Sequence, residues 1–246
     1  MTQRNFPESA FILAAGKGTR LRPHTIDKPK PMVAVKNQPI IKHIIDKLAL
    51  ENIHNITVNA NYLSNILENY LNSLNIQSLH FSHEKKLLDT GGGVKNALHA
   101  MRDQPFFLIN GDAFWIDEVT EQSALKQLSD VWDNSKMDIL LLLQSTDKMT
   151  LTKPVGDYHI DDGMPVRAKD SSGTHMFTGI RIVHPRIFQN YKEDCFSFLE
   201  CMDKAEHQRR LHAVEYQNGI WHHISTPEDL EAVNSGKRVS QNYKAA

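Results

Sequence analysis

Residues 11–32 read FILAAGKGTRLRPHTIDKPKPM, in which a short apolar run is followed by a glycine-containing turn and several basic residues. Residues 11–15 are apolar and directly precede glycine, which is typical of a buried strand. Gly16 and Gly18 then allow the backbone to approach a ligand closely and to present its N–H groups to an anion. The stretch therefore predicts an anion-binding turn directly after the first strand.

Two cations accompany this turn. Arg20 offers a planar set of donors, and Lys30 adds a compact positive charge on a segment that Pro29 and Pro31 stiffen. Together with the glycine turn, these cations suit a triphosphate. The stretch is not the dinucleotide-binding fingerprint, whose third glycine is replaced by Leu21, nor a P-loop, because no Gly-Lys-Ser/Thr follows at the required spacing. Taken alone, Gly-x-Gly is equally consistent with a turn that needs glycine only for its geometry.

The chain after this stretch alternates the patterns of strands and helices. Short apolar runs predict strands, and apolar residues at helical spacing predict helices between them. The strands predicted in the first half are 56–60, 79–82, 106–110 and 137–143, and the helices are 40–48, 63–74, 92–101 and 125–131. This order predicts βαβ units, and hence a layered α/β fold with a mostly parallel sheet.

The second half begins with a change in composition. Residues 146–174 are rich in Lys, Asp, Gly, Ser and Pro, and they are expected to form a small lobe over the edge of the sheet. Further strands are predicted at 177–183, 211–216 and 220–224, with a helix at 198–210. We expect one domain over residues 1–246, in which 146–175 and parts of 176–224 form the substrate lobe.

The last helix has a clear start signal. Thr226 is a good N-cap, Pro227 suits the first helical position, and Asp229 completes a capping box. A helix is therefore predicted to begin at this point.

The overall composition narrows the class of ligand. Lysine and arginine number 28 and aspartate and glutamate 29, which gives a formal net charge of -1. No net field favours nucleic acid or an anionic membrane, so we expect a small-molecule ligand. The apolar runs are far shorter than the ~20 residues that cross a bilayer, and the only cysteines, Cys195 and Cys201, indicate a reducing compartment. We expect a cytoplasmic protein that is a monomer or a homodimer.

Together, these motifs resemble the sugar-1-phosphate nucleotidyltransferase family. Its N-terminal signature is an apolar strand, Ala-Gly-x-Gly-Thr-Arg-Leu, a Pro and Thr spacer and Pro-Lys-Pro, which residues 15–21, Pro23, Thr25 and residues 29–31 match without a gap. The resemblance implies a Rossmann-like three-layer αβα sandwich of the nucleotide-diphospho-sugar transferase type with a small substrate-binding lobe. It also implies transfer of a nucleotidyl group from a nucleoside triphosphate to a sugar 1-phosphate, with release of pyrophosphate.

The resemblance assigns roles to residues of the signature. The family's loop wraps the nucleotide phosphates, so Arg20 and Lys30 are the leading candidates for catalysis. The family reads the base near Thr90-Gly91-Gly92-Gly93, although a glycine run can also be only a flexible turn. The residues expected to bind the nucleotide are Ala14, Ala15, Gly16, Gly18, Thr19, Thr90 and Gly91.

A carboxylate suited to a metal follows a later strand. Asn110-Gly111-Asp112 comes directly after the predicted strand 106–110, so the Asp112 carboxylate is expected at the carboxyl edge of the sheet, where ligands of open α/β sheets bind. Mg²⁺ prefers such hard oxygen ligands and bridges protein to phosphate. The alternative is that Asp112 only caps a helix or turn.

The C-terminal part departs from the family pattern. Members commonly carry Trp, a spacer and Asp-Val-Gly-Thr-Pro, whose aspartate is the second metal ligand, but here Trp221-His222-His223-Ile224-Ser225-Thr226-Pro227 places His223 at that position. Imidazole is a poorer ligand for Mg²⁺ than carboxylate, but suits Mn²⁺ or Zn²⁺. Either Asp112 and the substrate phosphates hold the metal alone, or His223 is a softer ligand, or activity is lost.

The substrate is predicted by resemblance to short family members. The chain most resembles the N-acetylmuramate 1-phosphate uridylyltransferases of cell-wall recycling, which implies UTP as the nucleotide and Asn110, Asp157, Thr178 and Gly179 as substrate-binding residues. The alternatives are a mannose 1-phosphate guanylyltransferase and a hexose 1-phosphate uridylyl- or thymidylyltransferase. A hypothesis of another class, motivated by His223, is an inactive nucleotide-sugar sensor.

Overall fold

The computed structural model describes residues 6–149, 155–161 and 163–236. Its strands are β1 (Ser9–Leu13), β2 (Ala34–Val35), β3 (Gln38–Pro39), β4 (Asn55–Ala60), β5 (Ser78–His83), β6 (Phe106–Asn110), β7 (Phe114–Asp117), β8 (Ile139–Ser145), β9 (Tyr158–Asp161), β10 (Met164–Arg167), β11 (His175–Val183), β12 (Leu211–Glu215) and β13 (Gly219–His222). Its α-helices are α1 (Ile40–Leu50), α2 (Ser64–Ser73), α3 (Asp89–Asn96), α4 (Ala124–Val131), α5 (Phe198–His207) and α6 (Pro227–Ser235). Parts of the predicted lobe, residues 150–154 and 162, lie outside the described residues.

A nine-stranded sheet forms the centre of the molecule, with the order β10-β9-β11-β6-β1-β4-β5 and with β8 and β12 joined through β11. Strands β5, β4, β1 and β6 run parallel. Strand β11 is antiparallel to β6 and β8, whereas β12 runs parallel to β8. The predicted α/β fold with a mixed, mostly parallel sheet is confirmed.

Both faces of this sheet are buried beneath helices. Successive side chains of a strand point to opposite sides, so neighbouring residues of one strand belong to different cores. On β1, Ile12 belongs to one core with side chains of α1, α2 and α4, whereas Phe11 belongs to a second core with side chains of α3 and α5. The sheet therefore lies between two helical layers, as the predicted αβα sandwich requires. No helix within the described residues is long and apolar enough to span a bilayer.

Two predicted boundaries were wrong in ways that matter for the site. Strand β1 ends at Leu13, so residues 14–20, which we call the phosphate loop, begin with both alanines that were expected in the strand. The helix predicted over 92–101 instead begins at Asp89 and ends at Asn96, before a short 3-10 helix at Leu98–Met101. Glycine is a poor helix former in isolation, but here the three glycines are buried in the helix, Gly91 and Gly92 against the chain at 194–196 and Gly93 against Asn59 and Glu84.

The start of α6 agrees with its sequence signal. The Thr226 hydroxyl accepts a hydrogen bond from the Asp229 backbone N–H at 3.3 Å, and the Asp229 carboxylate accepts one from the Thr226 N–H at 2.9 Å. The capping box predicted from the sequence is therefore confirmed. The β9–β10 hairpin pairs with the start of β11 through Tyr158 and His175, so this part of the predicted lobe continues the central sheet at its edge.

Candidate active site

A cavity of about 600 Å³ lies at the carboxyl ends of the parallel strands. Leu13, Asn59 and Asn110 end or nearly end three neighbouring strands in register, and all three line it. The predicted site residues that line this cavity are Ala14, Ala15, Gly16, Gly18, Thr19, Arg20, Lys30, Thr90, Asn110 and Asp112. The topology thus brings together segments that are far apart in sequence.

Lys30 and Asp112 form an ion pair at the rim of this cavity. Their Nζ and Oδ2 atoms are 2.6 Å apart, and the side chains are 12% and 38% exposed. Gly111 makes the approach possible, since its N–H donates to the Leu13 carbonyl at 2.8 Å and a Cβ there would lie 2.6 Å from that oxygen and 2.9 Å from Pro31. The glycine of Asn-Gly-Asp therefore lets the chain pack beside β1 directly before Asp112.

The phosphate loop is shaped by one left-handed residue. Gly18 has φ +59, and a Cβ at this position would lie 2.8 Å from the Lys30 Cβ. Thr25, which is fully buried, donates from its hydroxyl to the Gly18 carbonyl at 2.9 Å. Gly16 is different, because a Cβ there would meet no atom within 4 Å. Gly18 is thus needed for the fold of the loop, whereas Gly16 leaves open space beside it.

Arg20 is exposed at the same cavity. Among the described residues, its guanidinium makes no hydrogen bond and no ion pair, so its donors are available to a ligand. An arginine fork matches the geometry of phosphate oxygens. The two predicted cations therefore face one space, with Lys30 held by Asp112 and Arg20 free.

A buried polar bridge, which the sequence did not reveal, connects two walls of the cavity. The Asn59 Oδ1 accepts from the Ala14 N–H at 2.6 Å, and its Nδ2 donates to the Glu84 Oε1 at 2.7 Å. The other carboxylate oxygen of Glu84 accepts from the Leu88 N–H at 3.0 Å. The bridge ties the phosphate loop to the segment before α3. A polar residue near the end of a predicted parallel strand was the available signal for Asn59.

The glycine run Gly91–Gly93 contacts protein rather than the cavity. The Gly91 and Gly92 N–H groups donate to the Phe196 carbonyl at 2.9 and 3.1 Å. A Cβ at Gly92 would lie 2.1 Å from the Asp194 carbonyl oxygen. The structure does not place Gly91, which was expected to bind the nucleotide, in the lining. On the side where a Cβ would stand, Gly91 packs against the Phe196 ring, whose atoms would lie 2.4 and 2.5 Å from that Cβ.

Gly93 packs against the buried polar bridge. A Cβ at this position would lie 2.6 Å from the Glu84 Oε1 and 2.8 Å from the Asn59 Nδ2. Thr90 does reach the cavity, but its hydroxyl already accepts a hydrogen bond from the Phe198 N–H at 2.8 Å. The exposed Cys195 lines the same side. This wall is thus built by close contact between α3 and the chain before α5.

The remaining predicted substrate residues do not line the cavity. The Thr178 hydroxyl is buried and donates to the Leu142 carbonyl at 2.8 Å, so it is used inside the sheet. Gly179 has φ +80 and packs against the Asn110 side chain. Asp157 accepts from the Phe177 N–H at 2.9 Å, and burial raises the pKa of its carboxyl above the ordinary value. The structure therefore places none of these three residues in the lining of the cavity.

His223 lies near the predicted metal position. Its ring stacks on Trp221 with centroids 5.6 Å apart, and it is within electrostatic reach of Lys30, Asp112 and Arg20. Burial is the main cause that lowers the pKa of this imidazole. A neutral imidazole keeps one nitrogen lone pair for a metal or for a donor. Among the described residues, no group of three or more His, Cys, Asp or Glu side chains could hold a metal ion.

Comparison with known proteins decides the family. The sequence model of the nucleotidyl transferase family matches residues 9–150, more than half of the chain, which include the phosphate loop, Lys30 and Asp112. The chain belongs to the nucleotidyl transferase family. The enzyme class predicted from the sequence, a sugar-1-phosphate nucleotidyltransferase, is confirmed with it.

Two relatives of known activity illustrate the similarity. The N-acetylmuramate alpha-1-phosphate uridylyltransferase of Caulobacter vibrioides is 31% identical over 229 residues, which cover 90% of this chain and 93% of that protein. The mannose-1-phosphate guanyltransferase of Gibberella zeae is 39% identical over 107 residues, 42% of this chain and 29% of that protein. The first of these similarities extends over nearly the whole of both proteins.

Solved structures show the same fold. HddC from Yersinia pseudotuberculosis, crystallised with GMP-PN, superposes with a TM-score of 0.74 and 24% identity, over 93% of this chain and 98% of that one. At this level of identity the likeness establishes the nucleotidyl transferase fold alone.

Proposed function

We propose that this nucleotidyl transferase joins UTP to N-acetylmuramate 1-phosphate, giving the nucleotide sugar and pyrophosphate. One observation carries the chemistry: the phosphate loop, the free Arg20 and the Lys30–Asp112 ion pair line a single cavity. The choice of this substrate pair is supported by the Caulobacter vibrioides uridylyltransferase, with which the chain shares 31% identity over nearly its full length.

The reaction requires positioning and charge neutralisation. An oxygen of the sugar 1-phosphate attacks the α-phosphorus of UTP, and pyrophosphate leaves in line with the new bond. A phosphate monoester is mostly ionised at neutral pH, so no general base is needed. Arg20 and Lys30 neutralise charge on the transferring group, and the N–H groups of the phosphate loop hold the phosphates.

Asp112 is the residue best suited to hold Mg²⁺ or Mn²⁺. Its Oδ2 pairs with Lys30, while no described residue donates to its Oδ1, and the side chain is 38% exposed at the cavity. One carboxylate together with substrate phosphates is a usual Mg²⁺ environment. A bound cation would neutralise phosphate charge there. His223, which stands in place of the expected aspartate, is the candidate for a second ligand, and it favours Mn²⁺.

Base and sugar contacts divide between two walls of the cavity. Thr90 and the segment that the Asn59–Glu84 bridge anchors form the wall proposed to hold uracil. Asn110, on the adjacent wall, is proposed to contact the sugar 1-phosphate. Asp157 is proposed to act from the lobe. Thr178 and Gly179 are proposed to act indirectly, since the Thr178 hydroxyl is bonded to the Leu142 carbonyl and Gly179 packs against Asn110.

A pyrophosphate-release assay tests this proposal. The protein is incubated with each of the four nucleoside triphosphates, a panel of sugar 1-phosphates and either Mg²⁺ or Mn²⁺. We expect the largest kcat/KM for UTP with N-acetylmuramate 1-phosphate. A higher value for GTP with mannose 1-phosphate would replace this pair with the guanylyltransferase function suggested by the Gibberella zeae relative.

The sensor hypothesis predicts a different outcome in the same assay. A sensor would bind triphosphate, as measured by calorimetry, but would release no pyrophosphate in any mixture. Because Arg20, Lys30 and Asp112 all face one cavity, we expect turnover. Replacing His223 with aspartate, the family residue, should shift the metal preference towards Mg²⁺ if His223 binds the metal. An unchanged ratio of Mg²⁺ to Mn²⁺ activity would assign the metal to Asp112 and the phosphates alone.

A further inference from the structure

Arg181 is a buried cation with no acidic partner. It lies on β11 and is 2% exposed, and no described carboxylate is within ion-pair distance of it. Its guanidinium carbon lies 5.0 Å from the ring centre of Phe177 and 4.4 Å from that of Phe198. Its Nε has no hydrogen-bond acceptor. Buried charges without an ionic partner are unfavourable for folding, so stability alone does not account for this residue.

The one hydrogen bond that Arg181 makes to a described residue leads to the cavity. The Arg181 Nη1 donates to the Asn110 Oδ1 at 3.2 Å, and Asn110 lines the cavity together with Asp112. Arginine can only donate, so this contact fixes which end of the Asn110 amide is the oxygen. The other end, Nδ2, donates to no described residue. It therefore remains a donor without a described acceptor, on a residue that lines the cavity.

The amide is held on its other side as well. A Cβ at Gly179 would lie 3.0 Å from both the Cβ and the Nδ2 of Asn110, so only glycine at this position leaves the side chain its room. The backbone there has φ +80 and lies within an irregularity in the pairing of β11 with β8, between Phe177 and Arg181. Two neighbouring positions on β11 thus restrict a single side chain of the cavity wall.

Arg181 is a donor at neutral pH. Burial lowers the pKa of its guanidinium to about 9, which still leaves the group protonated at pH 7. The contact to Asn110 is therefore charge-assisted, which makes it stronger than a contact between neutral groups.

We propose that Arg181 is a positioning residue for the sugar 1-phosphate, because it turns the free Nδ2 donor of Asn110 towards this substrate. The inference rests on the proposed function and adds to it a specificity element behind the cavity wall. It predicts that Arg181 affects the binding of the sugar 1-phosphate and not the binding of the triphosphate.

The test is the substitution Arg181→Met, which keeps an unbranched apolar chain between the two phenyl rings and removes the donor. We expect the KM for the sugar 1-phosphate to rise about tenfold, the effect of losing one hydrogen bond to a charged group. The KM for the triphosphate should stay within about twofold of wild type, a change too small to represent a lost contact. The thermal midpoint should stay the same or rise, because a buried unpaired charge has been replaced by an apolar side chain.

Arg186 offers a matched control. Its Nε pairs with the buried Asp138 at 2.6 Å, and its other donors reach backbone carbonyls outside the cavity. Arg186→Met should therefore lower the thermal midpoint and leave both KM values unchanged. We therefore expect opposite results for the two variants: Arg181→Met changes the KM for the sugar 1-phosphate without loss of stability, and Arg186→Met lowers stability without a change in KM.

A double-mutant cycle separates positioning from a direct effect. If Arg181 acts through Asn110, the variant Asn110→Ala/Arg181→Met should bind the sugar 1-phosphate no more weakly than Asn110→Ala alone. Arg181→Lys, which restores a charged donor, should recover part of the loss. An unchanged KM in Arg181→Met, or fully additive effects in the cycle, would refute the positioning role while wild-type turnover upholds the proposed function. If wild-type protein releases no pyrophosphate, the proposed function fails and the inference falls with it.

Discussion

Glycine occurs at two places around the cavity, in the phosphate loop at Gly16 and Gly18 and in the glycine run at the start of α3. In the phosphate loop, Gly16 borders open space and Gly18 adopts a left-handed conformation beside Lys30. In the glycine run, a Cβ added at any of the three glycines would lie within 3 Å of other protein atoms. Gly16 leaves room for a ligand, whereas Gly18 and the glycine run let two parts of the chain approach each other closely.

This difference separates two physical roles that share one residue type. Replacing a glycine that borders open space should leave the stability of the ligand-free protein unchanged. Replacing a closely packed glycine should lower that stability, whether or not a ligand binds. Substitutions at these glycines test the two roles separately, and a substitution at Lys30 tests the positive charge beside them.

The largest effect is expected on turnover when the positive charge of Lys30 is removed. Lys30→Ala removes one neutralising group, which typically costs about 3 kcal/mol of transition-state stabilisation, or a hundredfold in turnover. The fold should remain, because the Asp112 carboxylate that loses its partner is 38% exposed. Steady-state kinetics and thermal unfolding measure the two quantities.

Lys28→Ala is the control, since Lys28 pairs only with the neighbouring Asp27 at 3.7 Å among the described residues. It should retain near-normal turnover. If Lys30→Ala turned over at the rate of this control, Lys30 would not neutralise charge in the reaction proposed here.

The next effect concerns the packed glycines. Gly92→Ala places a methyl group 2.1 Å from the Asp194 carbonyl oxygen, so backbone must move, and we expect a loss of about 2 kcal/mol in the free energy of unfolding. Urea denaturation of the protein without ligand measures this loss. Wild-type stability in this variant would mean that the glycine run is not close-packed, and the comparison would fail.

A smaller effect is expected at Gly18. Alanine there takes a left-handed conformation at a cost of about 1 kcal/mol, and its methyl group lies 2.8 Å from the Lys30 Cβ. Turnover should fall because Lys30 is displaced. Gly18→Asn adds side-chain bulk but tolerates the left-handed backbone better. Equal stability of the two variants would show that crowding, and not backbone strain, sets the cost.

The smallest effect on the empty protein is expected at Gly16. A methyl group there meets no protein atom within 4 Å, so the free energy of unfolding should change by less than about 0.5 kcal/mol. The KM for the triphosphate should nevertheless rise, because the ligand is expected to occupy that space. A variant with unchanged stability and unchanged KM would remove Gly16 from the predicted nucleotide site.

The sequence predicted those parts of the site that depend on local pattern. Arg20 and Lys30 belong to one continuous signature, and Asp112 follows a strand whose apolar run is unambiguous. Their convergence follows from a general property of parallel sheets, in which the carboxyl ends of neighbouring strands meet at one edge. Asn59 and Glu84 were missed because their contact depends on how β4 and β5 pair, which no local pattern specifies.

Two predicted site residues lie outside the lining of the cavity for a related reason. Gly91 carries the right residue type for a ligand contact, but its surroundings are set by Phe196, more than a hundred residues later in the chain. Thr178 lies in a strand whose pairing with β8 is irregular, so its hydroxyl turns into the sheet to meet Leu142. In both cases a long-range contact decided what a residue faces.

The anchoring of the segment between Glu84 and Leu88 has a consequence for engineering. Glu84 ties down both ends, because its backbone N–H donates to the Ala60 carbonyl at 3.0 Å and its carboxylate holds the Leu88 N–H. Residues 85–87 therefore form a short segment that is anchored at both ends, and Leu87 of this segment lines the cavity. Under the proposed function, we expect libraries confined to these three positions to alter the nucleobase preference while the hydrogen bonds of Glu84 stay in place.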